Sequence, residues 1–321
     1  MILTLTPNPS IDRTVELAGP LARGEVQRVT SVVSQGGGKG VNISRAAVTA
    51  GVASIAVLPA DRDDPFVHEL LSAGIDCRPA RPAGEIRVNL TITEPDGTTT
   101  KLNSPGATVT DQHLEALSST LLHRSAGVDW VVLAGSLPPG APADYYAGLV
   151  GRLRGGRAKV AVDTSEAPLA ALVDALPGSA PDLMKPNGAE LASFTGGDPA
   201  TLESDPRSAA RAARALIDRG VGAVLATLGA HGAVLVTTEG AWHAIPPPTK
   251  VVSTVGAGDS SLFGYVLGDL RGLPPGECLA LAVAYGSAAA GLPGTTIPEP
   301  GHVRPDLVIV ESLDAVREMK R

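Results

Sequence analysis

Ser253-Thr254-Val255-Gly256-Ala257-Gly258-Asp259-Ser260 runs from a β-branched stretch into an apolar helix. Small residues at Gly256, Ala257 and Gly258 leave consecutive backbone N–H groups open at a helix start. Such an arrangement holds anions and suits a phosphoryl group in transfer. Asp259 falls in the first turn, where its carboxylate has two uses: accepting a proton from a substrate hydroxyl, or capping the helix. The helix dipole lowers an Asp pKa and weakens it as a base. In a loose phosphoryl-transfer transition state the proton leaves late, so a weak, well-placed carboxylate suffices.

Four further loops carry groups of the same kind. Gln35-Gly36-Gly37-Gly38-Lys39-Gly40-Val41-Asn42 opens directly into a helix. Its glycines let the backbone approach a ligand, Lys39 adds a point charge and Asn42 a directional amide. It is not a Walker A loop, because the spacing differs and no Ser or Thr follows the lysine. A flexible turn before a helix is the plainer reading. Lys185-Pro186-Asn187-Gly188-Ala189-Glu190 sets Asn187 and Glu190 on one face of a helix entrance. The pair reads equally as oxygen ligands beside a hydrated Mg²⁺ or as a capping box. Thr227-Leu228-Gly229-Ala230-His231-Gly232 is a strand-ending loop that could admit a nucleotide, with His231 expected in solvent. Gly135-Ser136-Leu137-Pro138-Pro139-Gly140 is a rigid turn in which Ser136 touches substrate or only shapes the loop.

The elements that must position these loops alternate along the chain. Ile2–Thr6, Ile55–Leu58, Trp130–Ala134, Val160–Asp163 and Val224–Thr227 read as strands. Helices are expected at Val41–Thr49, Gln112–Leu122, Ala143–Leu153, Ser208–Arg219 and Ser260–Leu270, and Cys278–Leu292 reads as a buried helix. Continuously apolar strands between helices predict an α/β fold with a parallel sheet covered on both faces. Ligands in such folds lie beyond the carboxyl ends of the strands, where the glycine clusters fall. Ile86–Thr93 and Thr98–Asn103 instead alternate with period two around Glu94-Pro95-Asp96-Gly97. That is hairpin chemistry, and it predicts a small antiparallel flap over the main sheet.

Composition narrows the partners. The 321 residues include 37 Gly and 27 Pro, one residue in five, against about 12% on average usage. The excess has no period and no low-complexity tract, which excludes collagen-like and disordered chains. Aromatics are only 3% and the net charge, 26 minus 33, is −7. Both argue against a nucleic-acid partner, and the charge against an anionic membrane. Cys77 and Cys278 are isolated, so no disulfide framework is expected and a reducing cytoplasm is the default. Met1–Thr6 reads as a strand entering a turn, too short in apolar length for a signal peptide. The six histidines show no zinc-type spacing.

The order Asp12, Gly-Gly-Gly-Lys-Gly-x-Asn, Gly-Ser-Leu-Pro-Pro-Gly, Lys-Pro-Asn-x-x-Glu, then Thr-x-Gly-Ala-Gly-Asp resembles the ribokinase-like, phosphofructokinase-B family of carbohydrate kinases. The likeness runs from Met1 to about Pro293. Thr6-Pro7-Asn8-Pro9-Ser10-Ile11-Asp12, Gly38-Lys39-Gly40 and Arg87-Val88-Asn89 with Lys101-Leu102-Asn103 point to the branch acting on fructose 1-phosphate or tagatose 6-phosphate. The resemblance implies one Rossmann-like domain over residues 1–321, a mostly parallel sheet flanked by helices. Its small antiparallel β lid would come mainly from about 10–35 and 86–104. It implies ATP with Mg²⁺ as phosphoryl donor, Asp259 as base, and Gly256, Ala257 and Gly258 as the anion hole. Asp12, Gly37, Gly38, Lys39, Asn42, Arg87, Lys101, Asn103 and Ser136 would face the sugar phosphate. Lys185, Asn187, Thr227, Gly229 and Gly232 would border ATP, with Asn187 and Glu190 beside the metal. The chain departs at Asp61-Arg62-Asp63-Asp64-Pro65, where the family usually carries glycines near the sugar site.

The residues themselves give a reason for the substrate class. A neutral sugar needs no cation cluster, whereas Lys39, Arg87 and Lys101 are placed to hold a phosphate already on the sugar; otherwise Arg87 and Lys101 are solvated flap residues. The favoured reaction is attack of the C6 hydroxyl of fructose 1-phosphate on ATP. Tagatose-6-phosphate kinase and 6-phosphofructokinase chemistry would use the same machinery, and a non-catalytic sugar-phosphate sensor is the different-class alternative. A homodimer through the flap edges is a further expectation.

Overall fold

The computed structural model describes residues 1–314. In chain order its strands are β1 (Ile2–Leu5), β2 (Ser10–Leu17), β3 (Val29–Gly37), β4 (Ser54–Pro59), β5 (Asp76–Ala80), β6 (Arg87–Thr93) and β7 (Thr99–Asn103). They continue with β8 (Trp130–Ala134), β9 (Lys159–Asp163), β10 (Leu183–Met184), β11 (Ala223–Thr227), β12 (Ala233–Thr237), β13 (Ala241–Ile245) and β14 (Ile309–Ser312). The helices are α1 (Lys39–Thr49), α2 (Pro65–Ser72), α3 (Asp111–Ser125), α4 (Tyr145–Leu153) and α5 (Glu166–Asp174). Then come α6 (Gly188–Thr195), α7 (Pro199–Ser204), α8 (Pro206–Ile217), α9 (Ala257–Leu270) and α10 (Pro275–Ala290).

Ten strands form the main sheet in the order β14-β13-β12-β11-β10-β9-β8-β1-β4-β5. Every ladder from β11 to β5 is parallel, and the β12, β13 and β14 ladders are antiparallel. The central strands are apolar on both sides because helices cover both faces. Leu3, Leu5, Val131 and Leu133 face a core shared with α3, α4, α5, α6 and α8. Their neighbours Ile2, Trp130, Val132 and Ala134 face α1, α9 and α10. Helices α9 and α10 touch closely: a Cβ on Gly264 would stand 2.6 Å from the Leu281 carbonyl oxygen. That contact fixes the helix whose first turn carries Asp259.

The expected strands and helices are present, with ends moved by up to three residues. The expected hairpin is the β6–β7 ladder, pairing Asn89 with Asn103 and Thr91 with Lys101. It belongs to a separate four-stranded sheet, β3-β2-β6-β7. The two outer ladders of this lid are antiparallel and the central β2–β6 ladder is parallel. Strand β3 runs out of the lid through Gly37 and directly into α1, so lid and glycine loop are one continuous piece of backbone.

Candidate active site

Strands β1, β8, β9, β10 and β11 end side by side, and each delivers one loop to the same end of the sheet. Beyond β8, the Gly135 carbonyl accepts from Tyr146 Oη at 2.9 Å and Thr164 Oγ1 at 3.0 Å, which fixes the turn carrying exposed Ser136. Beyond β10, Lys185 leads into α6. Beyond β11, Thr227 donates its N–H to the Pro186 carbonyl at 3.0 Å, so the 185–190 and 227–232 loops are joined at their roots.

The chemistry centres on a buried ionic cluster. Asp163, the last residue of β9, is fully buried. Its Oδ1 takes Lys39 Nζ at 2.7 Å, and its Oδ2 faces Lys185 Nζ at 3.2 Å. Burial opposes the Asp163 charge, but Lys185 and Lys39 outweigh it and hold the carboxyl below its usual range. Burial likewise works against Lys39, yet Asp163, then Asp259, outweigh it and hold the ammonium above its usual range. Lys185 also lies against α9: a Cβ on Gly258 would stand 3.2 Å from its Nζ. Two cations from separate loops are thus tied to one carboxylate beside the glycine-rich helix start.

Asp259 does not cap α9. The N-cap is Gly256, at φ 79°, without a side-chain cap hydrogen bond. The Asp259 carboxylate instead accepts from Asn42 Nδ2 at 2.8 Å, which ties α9 to α1. Burial, aided by the charge of Asp163, pushes the Asp259 carboxyl above its usual range, while Lys39, the Asn42 hydrogen bond and Lys185 pull it back. The amides of Gly258 and Asp259 lie in the first turn, where a helix offers no internal acceptor. A carboxylate with a raised proton affinity and a row of free amides therefore share one helix turn. That arrangement can take a proton from a hydroxyl while holding a developing phosphoryl charge.

The lid supplies a polar face in register. One row across it holds Gly37, Ser10 and Arg87, the next Gln35, Asp12, Asn89 and Asn103, and the third Val33, Thr14, Thr91 and Lys101. Asp12 Oδ1 accepts from Ser10 Oγ at 2.8 Å and Asn89 Nδ2 at 3.1 Å. A Cβ on Gly37 would collide with the Asp12 carboxylate, so only glycine fits there. Arg87 donates to the Ser104 carbonyl at 2.9 Å, and burial lowers its pKa, opposed by Asp12. Lys101 lies one row further out, exposed on the same face. Buried side-chain atoms lacking a protein partner include Thr6 Oγ1, Asn42 Oδ1, Arg87 Nε, Asn89 Oδ1 and Ser260 Oγ. Buried polar groups are normally paired, so this set points to a polar ligand.

Several of the residues expected on the nucleotide side also have local structural roles. Asn187 and Glu190 form the capping box: Asn187 Oδ1 accepts from the Glu190 amide at 2.8 Å, and Glu190 Oε2 from the Asn187 amide at 2.9 Å. The helix start uses one acceptor site of the Asn187 oxygen and one of the two Glu190 oxygens. Among the described residues no three His, Cys, Asp or Glu side chains gather as a metal cluster. This donor set fits a Mg²⁺ held mainly by phosphate oxygens and water, with Glu190 nearby. Gly229 and Gly232 also have local reasons to be glycine, since Cβ atoms there would strike Glu203 Oε1 and the Ala244 carbonyl. His231 is exposed, as expected.

Asp163 is the residue that sequence reasoning passed over as a strand end. Val160-Ala161-Val162-Asp163 carries a signal in retrospect: a charged residue closing an apolar central strand must find a partner. Asn8 was likewise unassigned; it is buried, and its Nδ2 donates to the Pro105 carbonyl at 3.0 Å, anchoring the chain after β7.

Residues 5–301 match the model of the pfkB family of carbohydrate kinases. The chain is 39% identical to a 1-phosphofructokinase of Rhodobacter capsulatus over 303 residues, 93% of each chain. It is 33% identical to a 1-phosphofructokinase of Escherichia coli K12 over 291 residues, 90% of each. Among solved structures, phosphofructokinase-2 from Escherichia coli in complex with substrates and products superposes with a TM-score of 0.86 at 27% identity, covering 95% of this chain and 99% of that one. The tetrameric inhibited form of the same enzyme gives 0.82 at 28%, covering 92% and 95%.

The Asn42–Asp259 hydrogen bond yields a signed prediction. It favours the ionised carboxylate, so Asn42→Ala should raise the Asp259 pKa. The acid limb of the kcat–pH profile then moves to higher pH, because more of the base is protonated at a given pH. A limb that stays in place would show that the bond is absent in the working enzyme.

Proposed function

Because the chain belongs to the pfkB family of carbohydrate kinases, we propose that it phosphorylates fructose 1-phosphate at the C6 hydroxyl with ATP, giving fructose 1,6-bisphosphate and ADP. The observation that carries this reading is buried Asp259 in the first turn of α9, held by Asn42 and flanked by Lys39 and Lys185. The likeness to 1-phosphofructokinases over most of the chain supports the choice of sugar phosphate.

The sugar phosphate lies between the lid face and the ends of β1 and β8. Asp12, Asn89 and Asn103 are in register to meet its hydroxyls, and Arg87 with the Gly37–Gly38 backbone to meet its phosphate. ATP lies over the 185–190 and 227–232 loops, with its terminal phosphate at the start of α9. Asp259 takes the C6 proton as that oxygen bonds to the γ-phosphorus and the bond to the β,γ-bridging oxygen breaks. The first-turn amides hold the charge spread over the transferring group, and Lys39 and Lys185 supply positive charge on either side of it. Mg²⁺ bound with ATP would neutralise phosphate charge, with Glu190 beside it. An acidic chain needs no basic patch for this, since the positive field is local.

A cytoplasmic location accompanies this reading; no described helix is long and apolar enough to cross a membrane. We place residues 1–321 in one kinase unit with the lid as its appendage; 315–321 lie outside the described residues. The outer part of the lid face opposite Asp12 is apolar, with exposed Val29, Val32 and Leu102 beside half-buried Val15, Leu90 and Ile92. A second copy of this chain is the proposed occupant, in keeping with the tetrameric relative.

A coupled assay with ATP over fructose 1-phosphate, fructose 6-phosphate, tagatose 6-phosphate and free fructose tests the substrate. Fructose 1-phosphate should give the highest kcat/KM, and preference for another member would overturn the assignment. Asp259→Asn should cut kcat by about 10²–10⁴-fold, the usual worth of a general base; near-normal turnover would remove Asp259 from that role. Light scattering should give twice the chain mass, and Val32→Glu with Leu102→Glu should halve it. A monomeric wild type contradicts the lid dimer.

A further inference from the structure

Gly36 is the residue where the lid leaves the core. It stands next to last in β3, an edge strand of the lid, and pairs with Ile11 of β2. Its N–H donates to Glu69 Oε2 at 3.0 Å, and its carbonyl accepts from an Arg45 terminal nitrogen at 3.3 Å. That same nitrogen meets Glu69 Oε1 at 2.5 Å, which closes a ring. An edge residue must satisfy its outward N–H and C=O somewhere. Here two charged side chains, one from α1 and one from α2, take the place of a neighbouring strand.

The ring is tightly built. A Cβ on Gly36 would stand 2.9 Å from Glu69 Oε2 and from the Phe66 ring. Arg45 is mostly buried, its side chain 12% exposed. Phe66, Val67 and Leu70 anchor α2 in a small core that Ile11 and Ile86 of the lid side also touch. Helix α2 begins on Pro65, and Asp64 caps it by accepting from the Phe66 amide at 2.8 Å. The charged segment Asp61–Pro65, which departs from the family's glycines, therefore starts the helix that brings Glu69 to the lid.

We propose that Arg45 and Glu69 are positioning residues that latch the lid root at Gly36, and through it set Gly37 against Asp12 on the sugar-phosphate side of the site. The proposal rests on the reading of the Asp12 face as the sugar-phosphate side. Neither residue is placed in the catalytic machinery. Charge-assisted bonds on both polar groups of one peptide make the latch stiff. The ATP loops at 185–190 and 227–232 follow β10 and β11, and among the described residues they make no hydrogen bond with Gly36, Arg45 or Glu69.

The test compares Glu69→Ala, Arg45→Met and the double variant with wild type, and adds Glu69→Gln, which keeps an acceptor for the Gly36 amide. KM for fructose 1-phosphate should rise about three- to tenfold in both single variants, as expected for a lost charge-assisted contact. KM for ATP should stay within twofold. The double variant should be no worse than the worse single, because both break one ring, and Glu69→Gln should recover part of the loss. Amide exchange should quicken in peptides spanning 29–37 and stay unchanged across 130–134. Unchanged exchange at 29–37, or a parallel rise in the ATP KM, overturns the latch. Wild type that fails to turn over fructose 1-phosphate would sink the substrate reading instead, while exchange still decides the latch.

Discussion

A carboxylate without access to water must be paired, and the site is arranged around one that is. Asp163 follows the apolar run Val160–Val162 at the end of β9 and stays charged because Lys39 and Lys185 reach it from two other loops. A buried charge left without any partner typically costs about 3–5 kcal/mol, and here two lysines share that carboxylate. The glycine loop before α1 and the loop after β10 are therefore not free to drift. Their ammonium groups are held at fixed points beside the start of α9, where Asp259 and its neighbouring amides face the same space.

The lid extends that logic. Its polar rows run from Gly37 and Arg87 out to Lys101, and its root is continuous with α1. Asp12 lies so close to Gly37 that no side chain fits between them. The field proposed to receive two anionic ligands is thus assembled from a few cations and backbone amides. A net charge of −7 is compatible with it because such a field is local. The glycines that stood out in the composition are in good part the residues that let backbone reach these positions.

The central strands and the long helices were legible because their apolar patterns leave little choice. Trp130–Ala134 came out with the expected ends, and the motif running into α9 sat at the expected helix start. The outer antiparallel strands β12, β13 and β14 and the lid strands β2 and β3 were not read in detail. Lid strands mix polar and apolar residues, and the partners of β2 in β3 and β6 lie far away in sequence. Two local ambiguities needed coordinates: Asp259 turned from the cap to Asn42, whereas Asn187 and Glu190 turned into one. Pairings such as Lys39 with Asp163, 124 residues apart, carry no local sequence signal at all.

The central claim is that the Asp163 charge organises the lysines and tunes the base. Its most direct test is the kcat–pH profile of Asp163→Asn beside wild type. Asp163 raises the Asp259 pKa through its charge, so the variant's acid limb should move to lower pH. Its plateau kcat should fall about tenfold or more, equivalent to at least ~1.4 kcal/mol of transition-state stabilisation. A folded variant with the wild-type limb and the wild-type plateau would contradict the account.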